Sequence, residues 1–310
     1  MPLIYPDPKI VEQVLADYET ADIPELHKMC ARWTEKFVHE SWTATAANVQ
    51  ALRDAGFPDT ELVNWAESAT VQTWWVMSAD AGGVPIDDFL PQEQQVVRRD
   101  HHIYKAGAWS RAPCTEIPNE VQPANGQEIA WIDTNEDDPA YLKAADWAND
   151  RYGMAPNFLK AFSLRPALFP RHCRTFELLE QPQSSLLTPR LHALVRALVS
   201  LLNHSQYFAA SIEELLARTG CDPTVLEQLA VYPAGEFSEA ERAVLDFASK
   251  MVRTSYKITE QDSAALPAAG LDDAACADVL NTVSIQTTIE RVANMFGVVP
   301  DSEPLLQRLS

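Results

Sequence analysis

The densest run of groups able to move a proton or attack a carbonyl lies between positions 192 and 211, which hold His192, Asn203, His204, Ser205, Tyr207 and Ser211. An unperturbed imidazole titrates close to neutrality, so His192 or His204 suits a general acid or base, and either would activate a serine held within hydrogen-bond reach. A plainer role fits as well. Ser205 and Ser211 stand near an expected helix start, where a serine hydroxyl accepts a hydrogen bond from the first turn, and no Gly-x-Ser-x-Gly elbow is present. Nucleophile and cap therefore both stay open for Ser205. Elsewhere, His101-His102 precedes Tyr104 and His172 adjoins Cys173. Adjacent histidines point apart on a helix, and no His-x-x-x-His or Glu-x-x-His pair sets two ligands on one face, so no metal is expected. Trp74-Trp75, with Trp65 and Met77 on the same expected helix, read as helix core or as the wall of a ligand pocket or subunit interface.

The elements that must position these groups come from an internal match. Shifted by 214 positions, residues 24–87 lie on 238–301 without a gap, and sixteen of the 64 pairs are identical. The identities include Ser41 with Ser255, Thr45 with Thr259, Ala55-Gly56 with Ala269-Gly270, Gln72-Thr73 with Gln286-Thr287 and Gly83-Val84 with Gly297-Val298. Each copy reads as three helices. In the second, Ser238 caps a helix to about Arg253, and Thr259 with Asp262 forms a capping box closed by Gly270. A long helix then runs from Asp272 or Asp273 to about Met295, where Gly297 stops it. The first offers the same marks at Thr45, Gly56, Asp59 and Gly82-Gly83. The copies differ where it matters: Glu290 and Arg291 stand where the first has Val76 and Met77. Residues 91–130 are rich in Pro, Gln, Asn and charge and read as a linker with one short helix near Pro91–Tyr104. Helical periodicity returns at 140–152, 157–164, 166–179, 190–202 and 205–219. The expected organisation is a helical half-module over 1–90, a linker over 91–130 and a complete helical module over 131–310.

Composition narrows the function classes. With 44 acidic against 24 basic residues the net charge is −20, which disfavours nucleic acid and anionic membrane surfaces as partners. No window approaches the ~18 to 20 apolar residues that span a bilayer, and Met1–Asp7 has no leader pattern, so a cytoplasmic protein is expected. The five cysteines are scattered without a Cys-x-x-Cys pair and read as free, buried thiols.

The order of signals from Gly153-Met154-Ala155-Pro156-Asn157-Phe158 through Arg165-Pro166, Leu191–Asn203, Ser205–Ser211 and Ala268-Ala269-Gly270-Leu271 to Gly297-Val298 resembles the alkylhydroperoxidase D and carboxymuconolactone decarboxylase family, particularly its larger peroxidase-related members. The resemblance covers roughly 140–301, with 24–87 as a partial duplicate of its C-terminal half. It implies an all-α fold and a homo-oligomer. Peroxidase members carry a Glu and, twelve residues on, Cys-x-x-Cys-x-x-x-His, in which a thiolate near a helix N-terminus attacks peroxide. Matched onto this chain, those positions fall on Ala193, Ser205, Phe208 and Ile212. All four are replaced, and Phe208 and Ile212 make the face apolar. The resemblance thus implies a degenerate member without cysteine peroxidase chemistry and with a small-molecule pocket formed by Phe208, Ile212, Trp74, Trp75 and Arg291. Such a pocket suits a cofactor-independent proton transfer, decarboxylation or rearrangement with His204, Tyr207 or His192 as acid or base and Ser205 beside them. A non-catalytic binding or assembly partner is the rival reading, and residual peroxidase-type activity a third.

Overall fold

The computed structural model describes residues 7–84, 129–180 and 185–301, and every regular element among them is helical. The expected helix near Pro91–Tyr104, the His101-His102 pair and Cys114 lie outside the described residues. The described chain falls into two compact units, one up to Glu40 and one made by Ser41–Gly83 with the chain from Ile129 onward. The segment Ser41–Gly83 thus groups with the C-terminal helices.

The first unit holds α1 (Pro8–Asp17) and α2 (Glu25–Glu40). Asp7 accepts from the Lys9 amide to start α1. Val14, Tyr18 and Ala21 bury a small apolar cluster, and the Tyr18 hydroxyl donates to Glu35.

The second unit contains α3 (Ala46–Asp54), α4 (Asp59–Gly82), α5 (Pro139–Tyr152), α6 (Asn157–Lys160), α7 (Phe169–Glu180), α8 (Pro189–Leu202) and α9 (Ala209–Arg218). After these come α10 (Val225–Ala230), α11 (Glu239–Thr254), α12 (Glu260–Ala268) and α13 (Asp273–Phe296). The long helix α13 is central and packs on α4, α8 and α11. Its C-terminal half is buried on every side, whereas α11 buries a single stripe of Val244, Phe247, Ala248 and Met251. Ends fall where the side chains dictate. Ser238, Thr259 and Thr45 each close a reciprocal capping box, and Asp272 accepts from the Ala275 amide. Gly297 ends α13 in the left-handed conformation at φ 59°, directly under the Trp131 ring, where a Cβ would collide with the indole.

A shift of 214 positions carries the bounds of α2, the 3₁₀ turn Ser41–Thr43, α3 and α4 onto those of α11, the turn Ser255–Lys257, α12 and α13. Within the second unit the packing is reciprocal too: α4 packs on the turn at Ser255, and α13 on the turn at Ser41. Asn294 donates to the Ser41 hydroxyl at 3.2 Å, and the Ser255 hydroxyl donates to Asp80 at 3.0 Å, each pair being the other under the same shift.

Departures from the sequence reading are local. The helix expected at 157–164 is a single turn, α6, and the one expected from Pro166 opens as a 3₁₀ turn before α7. The helix expected from Ser205 begins only at Ala209, because α8 ends in a left-handed residue that turns the chain first. The short helix α10 had no mark in the sequence reading.

Candidate functional site

The turn from α8 to α9 builds the site. Asn203 is the C-cap of α8 and His204 follows it at φ +48°. The Ser205 amide donates to the Ser200 carbonyl at 3.0 Å and the His204 amide to the Leu201 carbonyl at 3.2 Å, the paired bonds of a Schellman ending. Glycine ordinarily takes the left-handed position. Gly56, Gly83, Gly153, Gly220, Gly270 and Gly297 all have positive φ, and His204 is the one non-glycine residue among those described that does. Its ring lies 4.5 Å from that of Trp42, and partial burial lowers its pKa, so the imidazole is neutral at neutral pH.

His204 lines two clefts. The larger, about 150 Å³, is walled by Ala197, Leu201, Ile212 and Leu226, with Ser200, Ser205, His204 and Glu213 as polar members and Ala209 at the start of α9. Its described lining contains no cysteine. The smaller is lined by His204 together with Trp42, Tyr207, Asn294 and Gly297.

The remaining expected site residues are dispersed. His192 is buried on α8, twelve residues before His204, about 18 Å away along the helix. Its Nδ1 has no partner among the described residues, and burial with the neighbouring Arg196 pushes its pKa down to about 3. Tyr207 borders the smaller cleft, yet its hydroxyl donates to Asp301 at 2.6 Å and accepts from the Phe158 amide at 3.3 Å; it pins the segment after α13 to α6. Burial raises its pKa well above the usual phenol value. The Ser205 hydroxyl accepts from the Phe208 amide at 3.4 Å within the turn, while α9 starts at Ala209 with Phe208 as its N-cap and no side-chain cap.

Of the five residues named for the expected pocket, Ile212 borders the larger cleft, and the other four stand elsewhere among the described residues. Phe208 is core, stacked on Phe176 and lying beneath the Arg196 guanidinium. Trp74 and Trp75 are 37% and 59% exposed, because α4 turns Met77 and Ala81 toward α13 and Trp75 falls on the opposite side. Arg291 is buried, donating to Asn203 Oδ1 at 3.3 Å and to the Val252 carbonyl at 3.2 Å, and burial lowers its pKa to about 10. His172 is buried as well: its Nε2 meets Glu67, which also takes Arg171, and Phe162 covers its ring. Burial followed by the Arg171 charge pushes its pKa down to about 3, so it joins α4 to α7 as a neutral hydrogen-bond donor. The adjoining Cys173 thiol is driven by burial up to about 12.

The sequence reading missed a buried polar network behind the larger cleft. Arg196 and Glu180, both fully buried, pair at 2.6 Å. Arg196 Nε donates to Gln286 Oε1 at 2.9 Å, which fixes the Gln286 amide so that its Nε2 donates to Ser200 Oγ at 3.2 Å and to Glu290 Oε1 at 2.5 Å. The Ser200 hydroxyl donates to the same Glu290 oxygen, and Asn203 Nδ2 donates to the other at 2.9 Å. Burial drives the Glu290 carboxyl up and the three donors oppose it, leaving its pKa at about 7. The signal was present in the apolar run of α8, where His192, Arg196, Ser200 and Asn203 recur at four, four and three residues on one face. Gln286 and Glu290, four apart on α13, answer them.

A solved structure described as an uncharacterized peroxidase-related protein from Silicibacter sp. TM1040 is 24% identical, with a TM-score of 0.50 over 59% of this chain and 97% of that one. The fold is alkylhydroperoxidase D-like. A second structure, described as an alkylhydroperoxidase AhpD core, an uncharacterized peroxidase-related protein from Ralstonia eutropha JMP134, matches at 24% identity and a TM-score of 0.46, covering 57% of this chain and 92% of that one. No protein-family model matches the chain, and no curated protein does. In this alkylhydroperoxidase D-like module, two of the four residues matched to the cysteine motif, Ser205 and Ile212, border the larger cleft; Ala193 and Phe208 are buried in the core.

Proposed function

We propose that this chain is a divergent relative of the alkylhydroperoxidase D and carboxymuconolactone decarboxylase proteins that has exchanged thiol chemistry for acid–base chemistry on a small organic molecule. The reaction is a cofactor-independent proton transfer, decarboxylation or rearrangement, with His204 as the proton-handling group and Ser205 beside it. The observation that carries this reading is His204 itself, a neutral imidazole held in a left-handed conformation that glycine would occupy without strain, on the wall of an apolar cleft. We further infer that 24–87 arose by duplication of the C-terminal half of the module. Titration of the full chain, labelled at histidine, with small unsaturated lactones and keto acids tests the function by nuclear magnetic resonance. A subset is expected to shift the His204 ring saturably, and His204→Ala is expected to weaken that binding at least about tenfold. Absence of any shift at His204, or turnover of peroxide with a dithiol reductant, overturns the reading.

A second reading, a non-catalytic assembly partner, is supported by Trp74, Trp75 and Val76, exposed in succession on α4. It predicts self-association lost in Trp75→Ser by analytical ultracentrifugation.

A further inference from the structure

The serine with a base at hand is Ser200, not Ser205. The Ser205 hydroxyl serves the Phe208 amide, whereas the Ser200 hydroxyl donates its proton to Glu290 and receives one hydrogen bond, from Gln286. Its second lone pair is left over, and Ser200 is part of the wall of the larger cleft. Every partner of the Glu290 carboxylate is a donor: Ser200, Gln286 and Asn203. Gln286 and Asn203 are themselves locked by Arg196 and Arg291. A nucleophile bonded to a base, with the base oriented by further groups, is the arrangement that acyl transfer requires.

We propose that Ser200 is a nucleophile, that Glu290 is its general base, and that the cleft accepts the acyl group of a small, uncharged, largely apolar ester. This rests on the reading of that cleft as the ligand site. Ser200 Oγ attacks the carbonyl carbon while its proton passes to Glu290. The tetrahedral adduct collapses, the carbon–oxygen bond to the alcohol breaks, and the alcohol leaves with the proton from Glu290. Water then repeats the two steps on the acyl-serine, releasing the acid. The cleft has room for a group about the size of benzene, its walls are Ala197, Leu201, Ile212 and Leu226, and the Glu213 carboxylate at its edge disfavours anions. Ala209, at the N-terminal end of α9, lines the same cleft, and the positive end of a helix favours a developing oxyanion. A carboxyl near 7 is matched to general-base work at neutral pH, unlike an ordinary glutamate.

The test uses the full chain with methanesulfonyl fluoride, followed by intact mass and peptide mapping. A single adduct on Ser200 is expected, forming faster as pH rises with a midpoint near 7. Ser200→Ala is expected to abolish it, and Glu290→Gln to slow it at least about a hundredfold and remove the midpoint while circular dichroism stays unchanged. The wild-type pH profile decides the matter even if Glu290→Gln fails to fold. No adduct, an adduct on Ser205, or a Ser200 adduct indifferent to pH across this range overturns the proposal. If compounds shift His204 but no adduct forms, this proposal falls and the proposed function stands; if an adduct forms with no shift at His204, the reverse holds.

Discussion

At His204 the backbone and the side chain make opposite demands. A non-glycine residue in the left-handed region costs about 1–2 kcal/mol, and contact with the tilted Trp42 ring returns about 0.5–1.5 kcal/mol, so the imidazole brings no clear net gain in stability. Two variants separate these effects. His204→Ala keeps the strain and loses the ring, whereas His204→Gly loses both; Gly is therefore expected to be more stable than Ala by about 1 kcal/mol in urea unfolding. Equal stabilities would mean that the turn stores no strain and would remove the main support for a functional histidine here. The chemical identity of this position was legible in the sequence, since His204 and Ser205 stand out by type. Its conformation was not, because the pattern read Ser205 as the start of the next helix and gave no sign that a histidine would sit where six other turns carry glycine.

At the scale of elements, caps made the boundaries legible and burial made the site illegible. Thr45, Thr259, Asp272, Gly83 and Gly297 act as local side-chain and backbone rules require, so α3, α4, α12 and α13 could be drawn before any packing was known. The polar network depends on which helices meet. Gln72 and Gln286 are the same residue in the two matched helices, but Val76 and Met77 continue an apolar sequence in α4, whereas Glu290 and Arg291 in α13 come up against Arg196, Ser200 and Asn203 of α8. A fully buried pair such as Arg196 with Glu180 is costly to break and cheap to replace whole. Arg196→Met is therefore expected to destabilise the chain by about 3–5 kcal/mol, and Arg196→Met with Glu180→Gln to recover most of that loss. Additive losses in the double variant would show that the two side chains are not coupled as the contact implies.

For the whole molecule, the reciprocal packing of the two matched segments resembles a symmetric dimer interface enclosed in one chain: Asn294 reaches Ser41 as Ser255 reaches Asp80. At this contact the symmetry is broken by charge, since Asp80 is a carboxylate where its counterpart is an amide, in a chain already carrying −20. Burial raises the Asp80 pKa, and the bond from Ser255 offsets this only in part. A carboxyl whose folded pKa lies above its unfolded value holds its proton more tightly when folded. Its stabilisation is complete below the unfolded pKa and is lost as pH rises through the folded one. Asp80→Asn keeps an acceptor for Ser255 and removes that loss. It is expected to match the parent at acid pH and to exceed it at neutral pH, measured by urea unfolding at both. The margin must grow with pH, because only ionisation of the parent's carboxylate creates it. A variant less stable than the parent at neutral pH would mean that the charge of Asp80 serves a purpose its amide counterpart lacks, and the equivalence of the two contacts would fail.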